Sequence, residues 1–228
     1  IGETGLPIIT FAESRDHEAL VVGYDGGIYE LVENPAAERP SLFPGLLSET
    51  GLFSSTATLT PAAGVISYQP VSRAHEGGAK SSFVFGMPGE EPIRIGRRQR
   101  QWRYPKGTVF AKTLSFDERR VETQLLHYDG INWHPYSYKW NADQSDAELV
   151  DKVGERVPLN SKDTEDLVSA SPRSWEILNR AQCRACHSRQ NGGAVGFSLE
   201  NLPSEMVDRF IADKVIDRPA PKAWGVSK

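Results

Sequence analysis

The sequence is poor in cysteine, methionine and histidine: its 228 residues include two, two and five of them. It also lacks any apolar run near the ~20 residues that cross a bilayer, so we expect no membrane span. Excess positive charge is missing too, because 26 Lys and Arg face 30 Asp and Glu, a net charge of −4. That balance makes nucleic acid a poor candidate partner. Ordinary hydrophobic and charged fractions of 39% and 25% exclude collagen-like, coiled-coil and disordered classes.

The start of the sequence lacks the features of a signal peptide. Ile1 is followed by neither a basic stretch nor the apolar stretch that such a peptide needs. We therefore expect the chain to have been processed or cut from a longer protein.

Most of the chain has the alternation and turn residues of β-structure. Two apolar runs at 18–24 and 28–32 flank an Asp-Gly-Gly turn, which predicts a β-hairpin within 1–34 that needs a sheet to join. Residues 35–45 contain three prolines and are predicted to be a linker. A second β-rich region is predicted over 46–165, with 108–115 and 121–128 pairing as a hairpin. Its candidate strands are 64–69, 82–85, 108–116, 121–128 and 136–140.

The last region, 166–228, has helical patterns. Ser171-Pro172 is typical of a helix start, with Trp175, Leu178 and Ala181 following at helical spacing. A second helix is predicted from Ser204. Its apolar stripe consists of Met206, Val207, Phe210, Ile211 and Val215. The predicted fold class is α+β, a β-rich region followed by a small α-helical segment that binds a c-type haem.

That haem prediction comes from residues 183–187, which read Cys-Arg-Ala-Cys-His, the pattern of c-type haem attachment. Cys183 and Cys186 would form thioethers with two vinyl groups on one porphyrin edge. The helical turn would bring His187 beneath the iron as the proximal axial ligand. Both cysteines are then used, and the sequence predicts one haem c.

Three other roles for the cysteine pair fit the sequence less well. A thioredoxin-like redox pair would follow a strand in a βαβ pattern, whereas this pair follows a predicted helix. A zinc site needs about four ligands, and no second pair is present. A structural disulfide across two intervening residues is rare.

The sixth iron position has several candidates, and an open position is an alternative. The candidates are Met87, Met206, His75 and His127. Met206 also fits the apolar stripe of its own helix, where a core role is the better default. Met87 follows a predicted strand in a loop, and His127 ends a strand. We rank methionine first as a residue type, by a small margin.

A cationic segment without acids spans residues 94–106. It contains Arg94, Arg97, Arg98, Arg100, Arg103 and Lys106, with Trp102 and Tyr104 between them. Such a segment could dock an acidic redox partner through Arg97, Arg98, Arg100 and Arg103, or neutralise haem propionates. Interleaved aromatics also suggest single-stranded nucleic acid. A solvated hairpin is the reading we favour.

Several segments resemble a known family. They are FPGLLSETGLF at 43–53, YSYKWNADQSDAEL at 136–149, and 59–68, 105–112 and 122–126. These are similar to the cytochrome part of PQQ-dependent sugar dehydrogenase-like proteins, which join a sorbosone-dehydrogenase-type propeller to a c-type haem module. Related chains are classed as dihaem c-type cytochromes. Residues 1–34 resemble the final strands of that propeller, which implies that they are a remnant of it.

The sequence departs from that family at three places. Relatives often have a Trp where this chain has Ala74-His75, and some have a His where this chain has Thr113. Dihaem relatives continue into a second attachment motif that is missing here, which implies a single haem.

The leading functional prediction is therefore an electron-transfer module rather than a catalyst. The resemblance implies a propeller dehydrogenase as electron donor and a further protein as acceptor. Thioether attachment of haem implies a periplasmic or otherwise exported protein. The alternative is a haem enzyme or a gas- or ligand-sensing haem protein with an open sixth position. A weaker third option is a β-module for carbohydrate or partner binding with an accessory haem.

Overall fold

The computed structural model of the chain describes residues 7–32, 43–71, 79–96, 98, 101–116, 118–159 and 174–217. The chain divides into two compact units, Ile1–Phe43 and Pro44–Lys228. The division falls inside the predicted linker 35–45, and the predicted regions 46–165 and 166–228 both belong to the second unit. The described residues form several β-sheets and two short α-helices, so the β-rich class is confirmed. None of their helices combines the length and the hydropathy that crossing a bilayer requires.

The first unit contains a three-stranded antiparallel sheet in the order β1-β2-β3. Its strands are β1 (Ile8–Glu13), β2 (Ala19–Gly23) and β3 (Ile28–Glu30). The predicted hairpin is confirmed, because β2 pairs with β3 across the Asp-Gly-Gly turn. Gly26 adopts a left-handed φ of 81° there, and the Gly27 amide donates to Asp25 Oδ1 at 2.9 Å.

The second unit is built on one large sheet. It opens with a 3-10 turn at Leu47–Thr50 and a small hairpin, β4 (Phe53–Ser55) and β5 (Thr60–Pro61). Six strands then pair in the order β11-β10-β9-β8-β7-β6, each beside its neighbour in sequence. They are β6 (Ile66–Tyr68), β7 (Lys80–Gly86), β8 (Val109–Phe116), β9 (Arg119–Tyr128), β10 (Trp133–Trp140) and β11 (Ala147–Leu149). All five candidate strands are present, and the predicted second hairpin is the β8–β9 ladder.

The helix predicted around Trp175 is wrong. Residues 174–177 form a strand, β13 (Ser174–Ile177), which pairs antiparallel with the preceding strand, β12 (Glu155–Pro158). Trp175 lies opposite Val157, and its indole N–H donates to the buried Glu122 carboxylate at 2.8 Å. These long-range partners outweigh the local helical spacing. Ser171 and Pro172, the predicted helix start, lie outside the described residues.

Two helices follow, α1 (Arg180–Cys186) and α2 (Ser204–Ala212). The helix predicted from Ser204 is therefore confirmed. Phe210 is buried, and Met206, Val207 and Ile211 are half-buried against the core, as the apolar stripe predicts.

An aromatic core joins the large sheet to the chain that follows α1. Phe85 and Phe110, on neighbouring strands, stack with ring centroids 5.5 Å apart. Phe197 lies 5.1 Å from Phe85 and 4.9 Å from Phe110, and Phe210 of α2 lies 5.7 Å from Phe85. Burying each such side chain contributes about 1.5–3 kcal/mol. The chain that follows the Cys-x-x-Cys-His motif is thus packed against the sheet.

Candidate functional site

The Cys-x-x-Cys-His motif occupies the end of α1. Cys183 and Cys186 lie one turn apart on the same side of the helix, and His187 is its C-cap. A capping box sets the start of the helix. Gln182 N donates to Asn179 Oδ1, and Asn179 N donates to Gln182 Oε1, each at 2.9 Å. The two thiols and the imidazole therefore all belong to one short, well-defined helical segment.

Contacts on both sides hold this helix against the edge of the large sheet. The Arg180 guanidinium lies 4.6 Å from the ring centroid of Tyr136 on β10, and the Arg180 amide donates to the Lys152 carbonyl at 3.0 Å. After the motif, Gly193 adopts a left-handed φ of 68° and approaches Trp133 so closely that a Cβ would overlap the indole. A glycine is required at this position for both reasons.

The carbonyl of Gly193 fixes the His187 ring. His187 Nδ1 lies 2.8 Å from the Gly193 oxygen, and since a carbonyl can only accept, Nδ1 carries the proton. Nε2 then holds the lone pair of a neutral imidazole. Burial lowers the pKa of His187, and the Lys112 charge lowers it further, against the opposing effect of the Gly193 bond. A neutral ring whose second nitrogen donates to a backbone carbonyl is the usual state of a metal-ligating histidine.

Both cysteines are free thiols, and their environments differ. Cys186 is exposed, whereas Cys183 is half-buried. Burial raises the pKa of Cys183 to about 11, and the charge of Glu122 adds to the effect. A reactive redox cysteine needs a lowered thiol pKa, so this environment opposes a thioredoxin-like pair. The motif does follow a strand, contrary to expectation, but that strand belongs to a two-stranded antiparallel ladder and not to a βαβ unit.

Three groups that act on side chains of the motif were not predicted from the sequence. Glu122 on β9 is 1% exposed and accepts from Trp175 Nε1 and from Gln124 Nε2, the latter at 3.2 Å. Lys112 and the Gly193 carbonyl act on His187, as described above. Only the Gly-Gly pair after the motif was a local signal of this arrangement. Glu122 and Lys112 lie more than sixty residues before the motif, and the sheet brings them to it.

Three of the four candidates for the sixth iron position lie among the described residues. Met87, in the loop after β7, and Met206, in α2, are both half-buried against the aromatic core. His127 is half-buried near the end of β9, its ring centroid 6.4 Å from that of His134. Burial lowers the pKa of His127, and the neighbouring His134 lowers it further. His75 lies outside the described residues.

The cationic segment is divided between the surface and the core. Arg98 and Arg103 are exposed, while Arg97 and Arg100 lie outside the described residues. Arg94 and Arg103 exchange two backbone hydrogen bonds of 2.9 Å, which fits the favoured hairpin reading. Trp102 and Tyr104 are 9% and 8% exposed and pack against Phe197 and Trp133. These aromatic rings belong to the fold and not to a base-stacking surface.

Among the described residues, no three side chains of His, Cys, Asp or Glu converge as ligands of a single metal ion. The donor set at 183–187 fits a covalent haem instead, since two thiols meet a porphyrin edge and one oriented imidazole meets the iron. No protein-family model, curated protein or solved structure matches the chain.

Proposed function

We propose that the chain is a c-type cytochrome module that carries single electrons through one haem attached to Cys183 and Cys186. The haem, when bound, supplies an iron that alternates between its ferric and ferrous states. The observation that carries the proposal is the hydrogen bond from His187 Nδ1 to the Gly193 carbonyl, beside two free thiols one helical turn apart.

Each residue of the motif has a separate task in this proposal. The thiols of Cys183 and Cys186 would hold the haem, each adding its sulfur and hydrogen across one vinyl group, so that no oxidant would be needed. His187 offers the Nε2 lone pair as proximal ligand, and the Gly193 carbonyl prevents the ring from turning. The capping box and the Arg180–Tyr136 contact keep the helix in place during electron transfer.

We infer a sugar dehydrogenase of the PQQ-dependent type, fused or separate, as electron donor, and a further redox protein as acceptor. The resemblance of 43–53 and 136–149 to the cytochrome part of such proteins supports this inference, and haem c implies work in the periplasm or another exported location. The exposed Arg98 and Arg103 support docking of an acidic partner.

The first experiment is expression with a haem c maturation system. The expected result is one haem per chain that stays with the protein after acid–acetone extraction, measured by pyridine haemochrome and by the mass of the denatured protein. His187→Ala should alter the absorption spectrum, whereas His17→Ala, an exposed histidine of the first unit, should not. Colour that extracts into the organic phase would refute the proposal.

For the sixth position we propose a low-spin haem whose distal ligand is Met87, Met206, His75 or His127. Singly, Met87→Leu, Met206→Leu, His75→Ala and His127→Ala should be compared by spin state and by the weak far-red band of methionine-ligated ferric haem. One variant should change its spin state or lose the far-red band, while the other three keep the parent spectrum.

The alternative, a haem enzyme or ligand sensor with an open sixth position, has one observation in its favour. Met87 and Met206 both pack in the core, the ordinary role of a methionine there. A high-spin parent that binds carbon monoxide or cyanide without displacing a protein ligand, and whose spectrum is unchanged in all four variants, would establish it.

A further inference from the structure

Two histidines lie side by side near the turn that joins β9 to β10. In the ladder between these strands His127 is directly opposite His134. Side chains at opposite positions project from the same face of a sheet, with Cβ atoms about 4.5–5.5 Å apart. The two ring centroids are 6.4 Å apart, and the ring planes are inclined by 35°. Both residues are only half-buried, so a small solute can reach the space between them.

The His134 ring already makes the hydrogen bond that is usual for a metal-binding histidine. His134 Nε2 lies 2.7 Å from Asp129 Oδ2, and since a carboxylate can only accept, Nε2 carries the proton. In the neutral ring Nδ1 then holds the lone pair. Asp129 is itself held in place, because its Oδ1 accepts from the backbone N–H groups of Ile131 and Asn132, each at 2.7 Å. A fixed carboxylate that orients an imidazole is the common outer partner of a histidine ligand.

We propose that His127 and His134 together bind one divalent metal ion of the kind that imidazole prefers, namely Zn²⁺, Cu²⁺ or Ni²⁺. Each nitrogen would lie about 2.0–2.1 Å from a zinc ion, so two nitrogens that share it are within about 4 Å of each other. Neighbouring rings at the observed spacing reach this separation by rotation of their half-buried side chains. Water completes the coordination, and the Asp129 carboxylate, ionised at neutral pH, attracts the cation.

The bound ion links β9 to β10 beside their turn and stabilises the folded state. The site is separate from the Cys-x-x-Cys-His motif, and the inference does not rest on the proposed function. Its one consequence for the haem is that His127, once it binds this ion, is removed from the candidates for the sixth iron position.

The test is a calorimetric titration of zinc chloride into the full chain at about pH 7.5, where an ordinary histidine is mostly neutral. The chain carries Cys183→Ala and Cys186→Ala, because the free thiols of the motif would compete for zinc. We expect this cysteine-free parent to bind one zinc ion at the site. His127→Ala and His134→Ala should each weaken binding by about a hundredfold or more. Magnesium, which prefers oxygen ligands, should not bind there.

Asp129→Asn examines the orienting hydrogen bond by itself. The amide oxygen can still accept from the two backbone N–H groups, but the amide nitrogen cannot accept from His134. We expect the affinity for zinc to fall about tenfold. The matched control is His17→Ala, because His17 also contacts a carboxylate, that of Glu13, but is the only histidine in residues 1–43. Its removal should leave zinc binding unchanged.

Urea unfolding with and without zinc gives a second readout. Zinc should raise the urea midpoint of the cysteine-free parent and leave that of His127→Ala and His134→Ala unchanged. A parent that shows neither binding heat nor a shifted midpoint overturns the inference. An alanine variant that binds zinc as tightly as the parent also overturns it, because the ion then lies elsewhere. If one alanine variant does not fold, the other decides. No outcome involves covalent haem, so failure here is distinct from failure of the proposed function.

Discussion

Replacing Gly193 by alanine should disrupt the site through three distinct effects. The added Cβ overlaps the Trp133 indole, and the backbone there has a left-handed φ of 68°. The left-handed conformation costs an alanine about 1–2 kcal/mol. Overpacking against the ring adds about 1–3 kcal/mol, and a weakened hydrogen bond from His187 adds about 1 kcal/mol. We expect Gly193→Ala to lose about 3–6 kcal/mol of unfolding free energy.

Two other glycines separate these effects. Gly89 has a φ of 73° with open space around its Cβ position, so Gly89→Ala isolates the backbone cost of about 1–2 kcal/mol. Gly196 has open space and no left-handed φ, so Gly196→Ala should change stability by less than about 0.5 kcal/mol. Together the three variants distinguish steric overlap with Trp133 from strain alone.

The assay is urea unfolding followed by tryptophan fluorescence, together with the absorption spectrum of the haem-loaded protein. Gly193→Ala should also alter that spectrum, because its carbonyl orients His187. Equal destabilisation of Gly193→Ala and Gly89→Ala would refute the steric argument. An unaltered spectrum in a clearly destabilised Gly193→Ala would refute the link between the carbonyl and the imidazole.

Three further predictions concern pH and a buried hydroxyl. Burial raises the pKa of Cys183 from 9.0 to about 11. The haem-free chain should therefore lose stability as pH rises from about 9 to 11, because only the thiol of the unfolded chain ionises in that range. Urea titrations at each pH should show that Cys183→Ala removes this pH dependence. The pKa of Asp129 is lowered to about 2, mainly because the Asn132 backbone N–H donates to its carboxylate. The ionised Asp129 should therefore stabilise the fold fully above about pH 4, and this stabilisation should disappear as pH falls toward 2. An NMR titration that finds an ordinary carboxyl pKa for Asp129 would contradict this. Tyr138→Phe should cost about 1–3 kcal/mol, since the fully buried Tyr138 hydroxyl donates to the Pro44 carbonyl at 2.7 Å; an unchanged urea midpoint would show that water replaces the bond.

The parts of the fold that were predictable are those specified by neighbouring residues. The hairpins at 18–32 and 108–128 combine period-two alternation with short turns, and both are present. The helix around Trp175 was wrongly predicted because its spacing is compatible with a helix. What makes it a strand is remote: Val157 opposite it and Glu122 beneath its indole. The true helix start had a local signal, since Asn179 precedes Gln182 by three residues.

The residues on the two sides of the proposed haem differ in how close together they lie in the sequence. The proximal side is local: two thiols, one imidazole and the carbonyl that orients it all lie between Cys183 and Gly193. A short segment of sequence is therefore sufficient to predict it. The distal side requires a residue that the sheet or α2 brings from elsewhere, and spacing along the chain cannot select among such residues. Glu122 and Lys112 illustrate the point, because only the register of β8 and β9 places them on one face of the sheet. The distal ligand is accordingly the property for which direct spectroscopy of single variants has the greatest power to discriminate.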